Sequence, residues 1–440
     1  MTETSLNLPV ARQHPGIWLA RLTALVALLV LVNLAIDSSS SVKFGWDVRV
    51  NCAAVDAHIE GLDPYIVDNL KGTKLSYPYL PVTLDIFRPL CSAGFLAGHY
   101  RGIYLVLAVL CGLLLPGLDM ARGGLREALL RVLCALGAFV GFEWTLASGN
   151  FTIFSGLLTA VALALLLGRS PLEEQERETF LMRLAGAAVL GLLTSFKLVF
   201  FPVLAALYFL PQPRHRKFIL IAVAAGAFIL PILISMVFYA DLFPSWLSAV
   251  SGKIPGQHSV ALDETNPSLL ILSFNLAEQF GLVQSKPIVF ALYGLAVTAF
   301  VLAPFALSVS RAVRDQGAPD KGWPLERLDR WLMDHPHDAA RITVLAMYAL
   351  YLCSPRLKEY AFFELAIYAA VLIVDLPSMA LAAFLAAAIL IPTLASISGS
   401  AIEGTFAQLI AGLVCFWILL ADFRARPRPC DPASTLGLQS

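Results

Sequence analysis

The sequence carries little charge: only 14% of its 440 residues are Asp, Glu, Lys or Arg, whereas 58% are hydrophobic. A soluble domain of ordinary composition has about 25% charged residues, so the composition argues against a water-soluble enzyme. The 31 basic residues are balanced by 31 acidic ones, which leaves no net positive field for binding nucleic acid. What remains is an integral membrane protein with apolar length for about 11–12 helices of roughly 20 residues.

The sequence is also poor in cysteine patterns. None of its seven cysteines forms a CxxC pair, and most lie in apolar runs, where Cys behaves as a small hydrophobic residue. We therefore predict neither a disulfide framework nor a zinc site. The polar N-terminus precedes a long apolar run without a clear cleavage site, which predicts a cytoplasmic tail before an uncleaved first helix.

The apolar runs predict an all-α polytopic membrane protein with one membrane-embedded domain over residues 1–440. Two runs are interrupted: 184–211 has Lys197 at its midpoint with Pro202 soon after, and 342–375 contains the polar link 354–359. We expect both to break into two helices. The predicted parts are a first helix (17–36), an extracytoplasmic loop with interfacial or re-entrant helices (37–98), a helix module (99–310), a cytoplasmic loop (311–341) and C-terminal helices (342–422).

The basic residues set the predicted orientation. More than half of the 31 Lys and Arg fall in the N-terminal tail, the C-terminal tail and a set of mostly short connections, and such segments face the cytoplasm. Both chain ends are then cytoplasmic in a cell (inner) membrane, provided that Tyr77–Gly98 does not fully cross. Its prolines and charges favour a lid or re-entrant helix instead. The segments placed outside are 42–98, 241–286 and 355–360.

The first outer loop collects the residues that look functional. Asp47 follows the first predicted helix almost at once, so we expect it at the membrane–water boundary. Apolar residues then recur at helical spacing, which predicts an interfacial amphipathic helix. Gly61-Leu62-Asp63-Pro64-Tyr65 is typical of a turn, and Tyr77-Pro78-Tyr79-Leu80-Pro81 of a rigid aromatic re-entry.

The order of several short motifs resembles glycosyltransferase family 87 of the GT-C superfamily, which includes polyprenol-phosphate-mannose-dependent mannosyltransferases. The similarity spans residues 17–375, and two positions depart from the family pattern: Asn150 replaces the usual Gln, and Ser-Pro is followed by Arg-Leu-Lys-Glu-Tyr instead of a Trp/His-rich continuation. The motifs are WDVRVN, GLDPY, YPYLP, Ser148-Gly149-Asn150, Phe196-Lys197-Leu198 with Pro202, Asn266-Pro267-Ser268-Leu269 and Ser354-Pro355.

The resemblance implies a GT-C-like bundle whose active site is extracytoplasmic. It implies inverting transfer of a sugar, with mannose the leading candidate, from a polyprenyl-phosphate donor to a glycolipid or polysaccharide acceptor. Such a reaction needs a base near the acceptor hydroxyl and positive charge near the departing phosphate. We assign Asp47 as the base and Lys197, Arg356 and Lys358 to the phosphate. The expected substrate-binding residues are Arg49, Tyr65, Tyr77, Asn150, Asn266 and Glu359, with Glu359 as the reserve base.

Each assignment has a plainer alternative. Asp47 could instead be a helix cap or a solvated charge at the membrane boundary, and Asn150 could cap a hairpin. A lysine inside an apolar run is costly, yet Lys197 could snorkel or pair with Glu143. Arg356 and Lys358 could be solvated residues of a short link, and Arg49 could orient the loop by pairing with a carboxylate.

The first outer loop has no DxD pair and no evident cage for a divalent cation, so we predict metal independence and no cofactor. The main alternative function is a lipid or solute transporter or flippase, which would also have broken helices and intramembrane charge. Against it, the two halves show no convincing repeat, and the polar residues concentrate on one face. A non-catalytic scaffold would leave the aromatic outer loop and Lys197 unexplained.

Overall fold

The computed structural model describes residues 45–73, 75–116, 124–168, 176–253, 266–282, 285–315, 323–398 and 401–425. The first predicted helix (17–36) and both chain ends, with the orientation predicted for them, lie outside the described residues. Within these ranges the chain is helical and contains no strand. Seven helices are long and apolar enough to cross a membrane, so the prediction of an all-α polytopic membrane protein is confirmed.

The first long loop, residues 45–94, is built from two short helices, α1 (Trp46–Ile59) and α2 (Val82–Cys91). Neither is among the helices of membrane-spanning length within the described residues. The predicted turn at Gly61–Tyr65 is present and is closed by the Tyr65 amide donating to Asp63 Oδ1 at 2.9 Å.

A disulfide joins these two helices, and the prediction of no disulfide framework is wrong here. Cys52 of α1 and Cys91 of α2 are bonded, and both are buried. They are 39 residues apart in separate helices, so no local cysteine spacing predicts this disulfide. Elsewhere the prediction of cysteines as small apolar core residues is confirmed for Cys111, Cys134 and Cys415, which are free and fully buried.

The next helices form the first half of the bundle: α3 (Phe95–Leu114), α4 (Leu125–Gly137), α5 (Gly141–Ser148), α6 (Thr152–Leu167) and α7 (Glu176–Phe196). A 3₁₀-helix, Leu198–Phe209, follows after Lys197. The break predicted at Lys197 is therefore confirmed. Pro202 lies inside the 3₁₀-helix, where its missing N–H and its ring oppose a return to α-helix.

The second half begins with α8 (Arg214–Phe238), α9 (Phe243–Val250), α10 (Leu269–Gln279), α11 (Lys286–Val297) and α12 (Ala303–Asp315). It ends with α13 (Pro324–Asp334), α14 (Pro336–Leu352), α15 (Phe362–Leu372), α16 (Ser378–Leu385), α17 (Ile391–Ser398) and α18 (Ala401–Ala425). The interruption predicted between α14 and α15 is confirmed. Single π-turns continue α11 into α12 and α16 into α17.

The centre of the core is the hairpin of α14 and α15. All 11 residues of α15 are buried, and this helix packs against α4, α5, α6 and α14. At Gly141 the start of α5 crosses directly over α15, because a Cβ there would lie 2.2 Å from the Phe363 nitrogen. The link 353–361 joins the two central helices, so its position is fixed by the best-packed part of the molecule.

Described parts of segments predicted to be cytoplasmic contact one another or the last helix of the bundle. Lys217 at the start of α8 donates to Asp329 of α13 at 2.7 Å, and Tyr208 donates to the same carboxylate at 3.2 Å. Arg341 of α14 donates to Asp422 of α18 at 2.9 Å. The described parts of these segments therefore lie close together. The predicted amphipathic helix in the 311–341 loop is present as α13.

Candidate active site

Asp47 lies in the first turn of α1, against the hairpin that joins α5 to α6. The Gly45 amide donates to the Ala147 carbonyl at 2.8 Å, which fixes the start of α1 on this hairpin. Gly149 has φ +69°, and a Cβ there would meet Val48 Cγ1 at 3.0 Å. Glycine therefore suits both the backbone conformation and the close approach, which brings Asn150 beside Asp47.

A chain of hydrogen bonds connects Asp47 to Lys197. Asn150 Nδ2 donates to Asp47 Oδ2 at 2.7 Å. On its other side, Asn150 Oδ1 accepts from both the amide and the hydroxyl of Thr152, at 2.9 and 2.5 Å. Lys197 Nζ in turn donates to Thr152 Oγ1 at 2.5 Å. The predicted base and the predicted phosphate-binding lysine, 150 positions apart in the numbering, are therefore joined through two polar side chains.

Asp47 is surrounded by groups that act on its charge in opposite directions. Burial raises the pKa of Asp47 above the ordinary carboxyl value, and this effect is larger than any other. The hydrogen bond from Asn150 and the positive charges of Lys358 and Lys197 lower the pKa but do not cancel the rise. A carboxylate held with a raised pKa next to cations is the environment that a general base requires.

A basic cavity of about 290 Å³ lies at the Lys197 end of these hydrogen bonds. Lys197, Arg356 and Lys358 all line it, so the three residues predicted to bind a phosphate share one cavity. The Lys197 ammonium also lies 5.1 Å from the centre of the Tyr360 ring. Trp246 lines the cavity as well; its indole Nε1 is buried and has no hydrogen-bond partner within the described ranges.

An apolar cavity of about 220 Å³ lies on the other side of Lys197. Tyr79, Phe196 and Lys197 line both cavities and so form the wall between them. Apart from these three and Ser155, the lining residues are aliphatic or phenylalanine and come from α2, α6 with the residue before it, and α7: Ile86, Phe87, Leu90, Phe151, Phe154, Leu157, Leu158 and Leu193. The two cavities together are suited to a molecule with an anionic head and a hydrocarbon tail.

Glu364 is a site residue that sequence reasoning missed. Its side chain, 2% exposed, accepts hydrogen bonds from Tyr351 at 2.7 Å and Thr159 at 3.1 Å. The negative charges of Glu364 and Asp47 both stabilise the positive charge of Lys197. From the sequence, Glu143 was the expected partner carboxylate. A single carboxylate inside an apolar run was the available signal, because such residues are costly in a membrane.

None of the six predicted substrate-binding residues lines either cavity, and three of them make structural contacts instead. The Tyr65 hydroxyl donates to the Tyr79 carbonyl at 2.7 Å, and the Tyr77 hydroxyl lies 2.5 Å from Thr83 Oγ1. Both tyrosines are fully buried. Arg49 is exposed, and its Nε donates to the Gly45 carbonyl at 3.2 Å. These contacts position Tyr79 and the start of α1.

The remaining predicted residues support the link between α14 and α15. Asn266 is buried, and Ser268, two residues later, donates to the Pro355 carbonyl at 2.9 Å. This late loop therefore holds the link that carries Arg356 and Lys358. Glu359 is half-buried at the start of a short 3₁₀-turn, directly before Tyr360. Within the described residues no group of three or more His, Cys, Asp and Glu side chains could hold a metal ion.

Comparison with family profiles agrees with the family resemblance. The sequence profile of glycosyltransferase family 87 matches residues 77–323, more than half of the chain. Asn150 and Lys197 lie inside this match, whereas Asp47 and the 353–361 link lie outside it. No curated protein and no solved structure matches the chain significantly. With seven helices of membrane-spanning length and a profile match over most of its length, the chain is a membrane glycosyltransferase that belongs to glycosyltransferase family 87.

Proposed function

We propose that the protein transfers a sugar, with mannose the leading candidate, from a polyprenyl-phosphate donor to a hydroxyl of a lipid-linked or polysaccharide acceptor. Asp47 acts as the general base, and the anomeric configuration is inverted in one displacement. The observation that carries this proposal is the hydrogen-bonded connection from Asp47 through Asn150 and Thr152 to Lys197. It joins a carboxylate to a cation at the wall between the two cavities.

The donor assignment follows from what the two cavities offer. A polyprenyl-phosphate sugar has an anionic phosphate between a sugar and a long isoprenoid tail. In the basic cavity, Lys197, Arg356 and Lys358 supply positive charge for the phosphate. The apolar cavity shares Lys197 with the basic cavity and suits the first isoprene units, because its aliphatic and aromatic lining offers close van der Waals packing to hydrocarbon. Lys197 would then bind the phosphate where head and tail meet.

The chemical step uses the same groups. The acceptor oxygen attacks the anomeric carbon on the face opposite the phosphate, and its proton passes to Asp47. The bond between the anomeric carbon and the phosphate oxygen breaks, and its electron pair leaves with the polyprenyl phosphate. Lys197, Arg356 and Lys358 stabilise the charge that develops on this leaving group. A single displacement needs a single base, so one carboxylate, Asp47, suffices.

We further propose that this site faces the extracytoplasmic side of the cell membrane. The distribution of basic residues supports this orientation. The Cys52–Cys91 disulfide supports it independently, because disulfides persist in oxidising compartments and are rare in the cytosol. This disulfide connects α1, which carries Asp47, to α2, which lines the apolar cavity.

The experiment is a transfer assay with the purified protein in proteoliposomes. A polyprenyl-phosphate donor carrying a radiolabelled hexose is added with candidate glycolipid and polysaccharide acceptors, and the new glycosidic bond is identified by its configuration. We expect product of inverted configuration from the wild type and at least about 100-fold slower formation of this product by Asp47→Asn. Movement of the donor between leaflets without a new glycosidic bond would contradict the proposal and favour lipid transport.

A further inference from the structure

The direction of every hydrogen bond between Lys197 and Asp47 is fixed by chemistry. An ammonium group can only donate, so Lys197 donates to the Thr152 hydroxyl. That hydroxyl has a single proton, which it directs to Asn150 Oδ1, its other close partner at 2.5 Å. The amide oxygen of Asn150 therefore faces Thr152, and its NH₂ group faces Asp47, where it donates at 2.7 Å.

Building on the proposed function, we infer that Thr152 is a positioning residue. Its hydroxyl links Lys197, which binds the phosphate, to Asn150, which holds the base Asp47. Thr152 touches neither cavity and is fully buried. Its hydroxyl holds one of the three N–H groups of Lys197, which leaves the other two for a phosphate. The lysine is thereby held at the wall between the cavities before the donor arrives, and such preorganisation lowers the cost of binding.

The local sequence explains why Thr152 can serve both neighbours. It is the first residue of α6, and amide groups in a first helical turn lack intrahelical partners. Asn150 Oδ1 accepts from the Thr152 amide at 2.9 Å, so the helix start is capped by the same side chain that supports Asp47. The Thr152 hydroxyl oxygen then accepts from Lys197, which follows directly after α7.

The test compares three variants by donor KM and kcat in the transfer assay. Thr152→Val keeps the shape but removes the hydroxyl, and Thr152→Ser keeps the hydroxyl. Thr194→Val is the matched control, because Thr194 is also buried, and among the described residues its hydroxyl donates to the carbonyls of Leu190 and Gly191 in its own helix. A hydrogen bond to a charged group is worth enough for Thr152→Val to raise the donor KM about 10- to 100-fold, with a smaller effect on kcat.

A double-mutant cycle with Lys197→Met separates positioning from a general packing role. If Thr152 acts through Lys197, Thr152→Val adds little further loss in the Lys197→Met background, because coupled residues are not additive. Rescue by Thr152→Ser together with this non-additivity supports the inference. A Thr152→Val variant that matches Thr194→Val, or additive losses in the cycle, overturns it while transfer by the wild type still stands. A wild type without transfer activity overturns the proposed function and this inference together.

Discussion

Replacing Asp47 by Asn tests the role of the base with little change in shape. The new side chain keeps an oxygen that can accept from Asn150, which now donates to Asp47 at 2.7 Å, but it cannot take up a proton. General-base catalysis contributes about 10²- to 10⁴-fold, so kcat should fall by that factor, equivalent to about 3 to 5 kcal/mol of barrier. The assay is the hexose transfer described above, with Asp56→Asn as the control, because Asp56 is exposed on the same helix.

The stability of this variant shows whether lost activity reflects lost folding. Since burial raises the pKa of Asp47, the folded protein holds a proton there more tightly than the unfolded chain does. At neutral pH the ionised carboxylate therefore costs stability, and Asp47→Asn should melt at the same temperature as the wild type or higher. Activity of Asp47→Asn within about threefold of the wild type, or an equal loss in Asp56→Asn, would refute the reasoning.

Four further outcomes are expected. As pH falls, wild-type kcat should decline with a midpoint above the ordinary Asp pKa of about 3.9, because the raised pKa of Asp47 protonates the base earlier; a midpoint at or below that value would contradict this. Lys197→Met should raise the donor KM about 10- to 100-fold with a smaller change in kcat, and an unchanged KM would remove Lys197 from the phosphate site. Breaking the disulfide by Cys52→Ser should lower the free energy of unfolding by about 2 to 4 kcal/mol, and alkylation of Cys91 in the unreduced wild type would show that the bond is not formed. Trp246→Phe removes one buried indole donor and should weaken donor binding about 10-fold, whereas unchanged donor binding would mean that this N–H does not meet the ligand.

Patterns within one stretch of sequence predicted local features well. A lysine and a proline inside an apolar run predicted the break at Lys197, and the polar link 354–359 predicted the division between α14 and α15. Such breaks follow from the cost of placing charge and proline inside a continuous apolar helix. The helix at Pro324–Asp334 was predictable for a similar reason, because its apolar residues recur on one face.

Contacts between distant segments could not be predicted in the same way. Asn150 reaches Asp47 across 103 residues, and Thr159 reaches Glu364 across 205. These contacts depend on how α5 crosses α15 and how the hairpin at Gly149 packs on α1, which no local pattern encodes. For that reason the sequence pointed to Asp47 and Lys197 individually but missed Thr152, which connects them, and the bond between Cys52 and Cys91.

The most direct measurement is an experimental structure of the protein with a bound polyprenyl monophosphate carrying a non-transferable sugar. We expect a phosphate oxygen within hydrogen-bonding distance of Lys197 Nζ, about 3 Å, the first isoprene units between Phe87 and Leu157, and the anomeric carbon facing the Asp47 side of the cavity. A phosphate bound at the opposite end of the bundle, near Lys217, or a sugar separated from Asp47 by the protein core, would contradict the account.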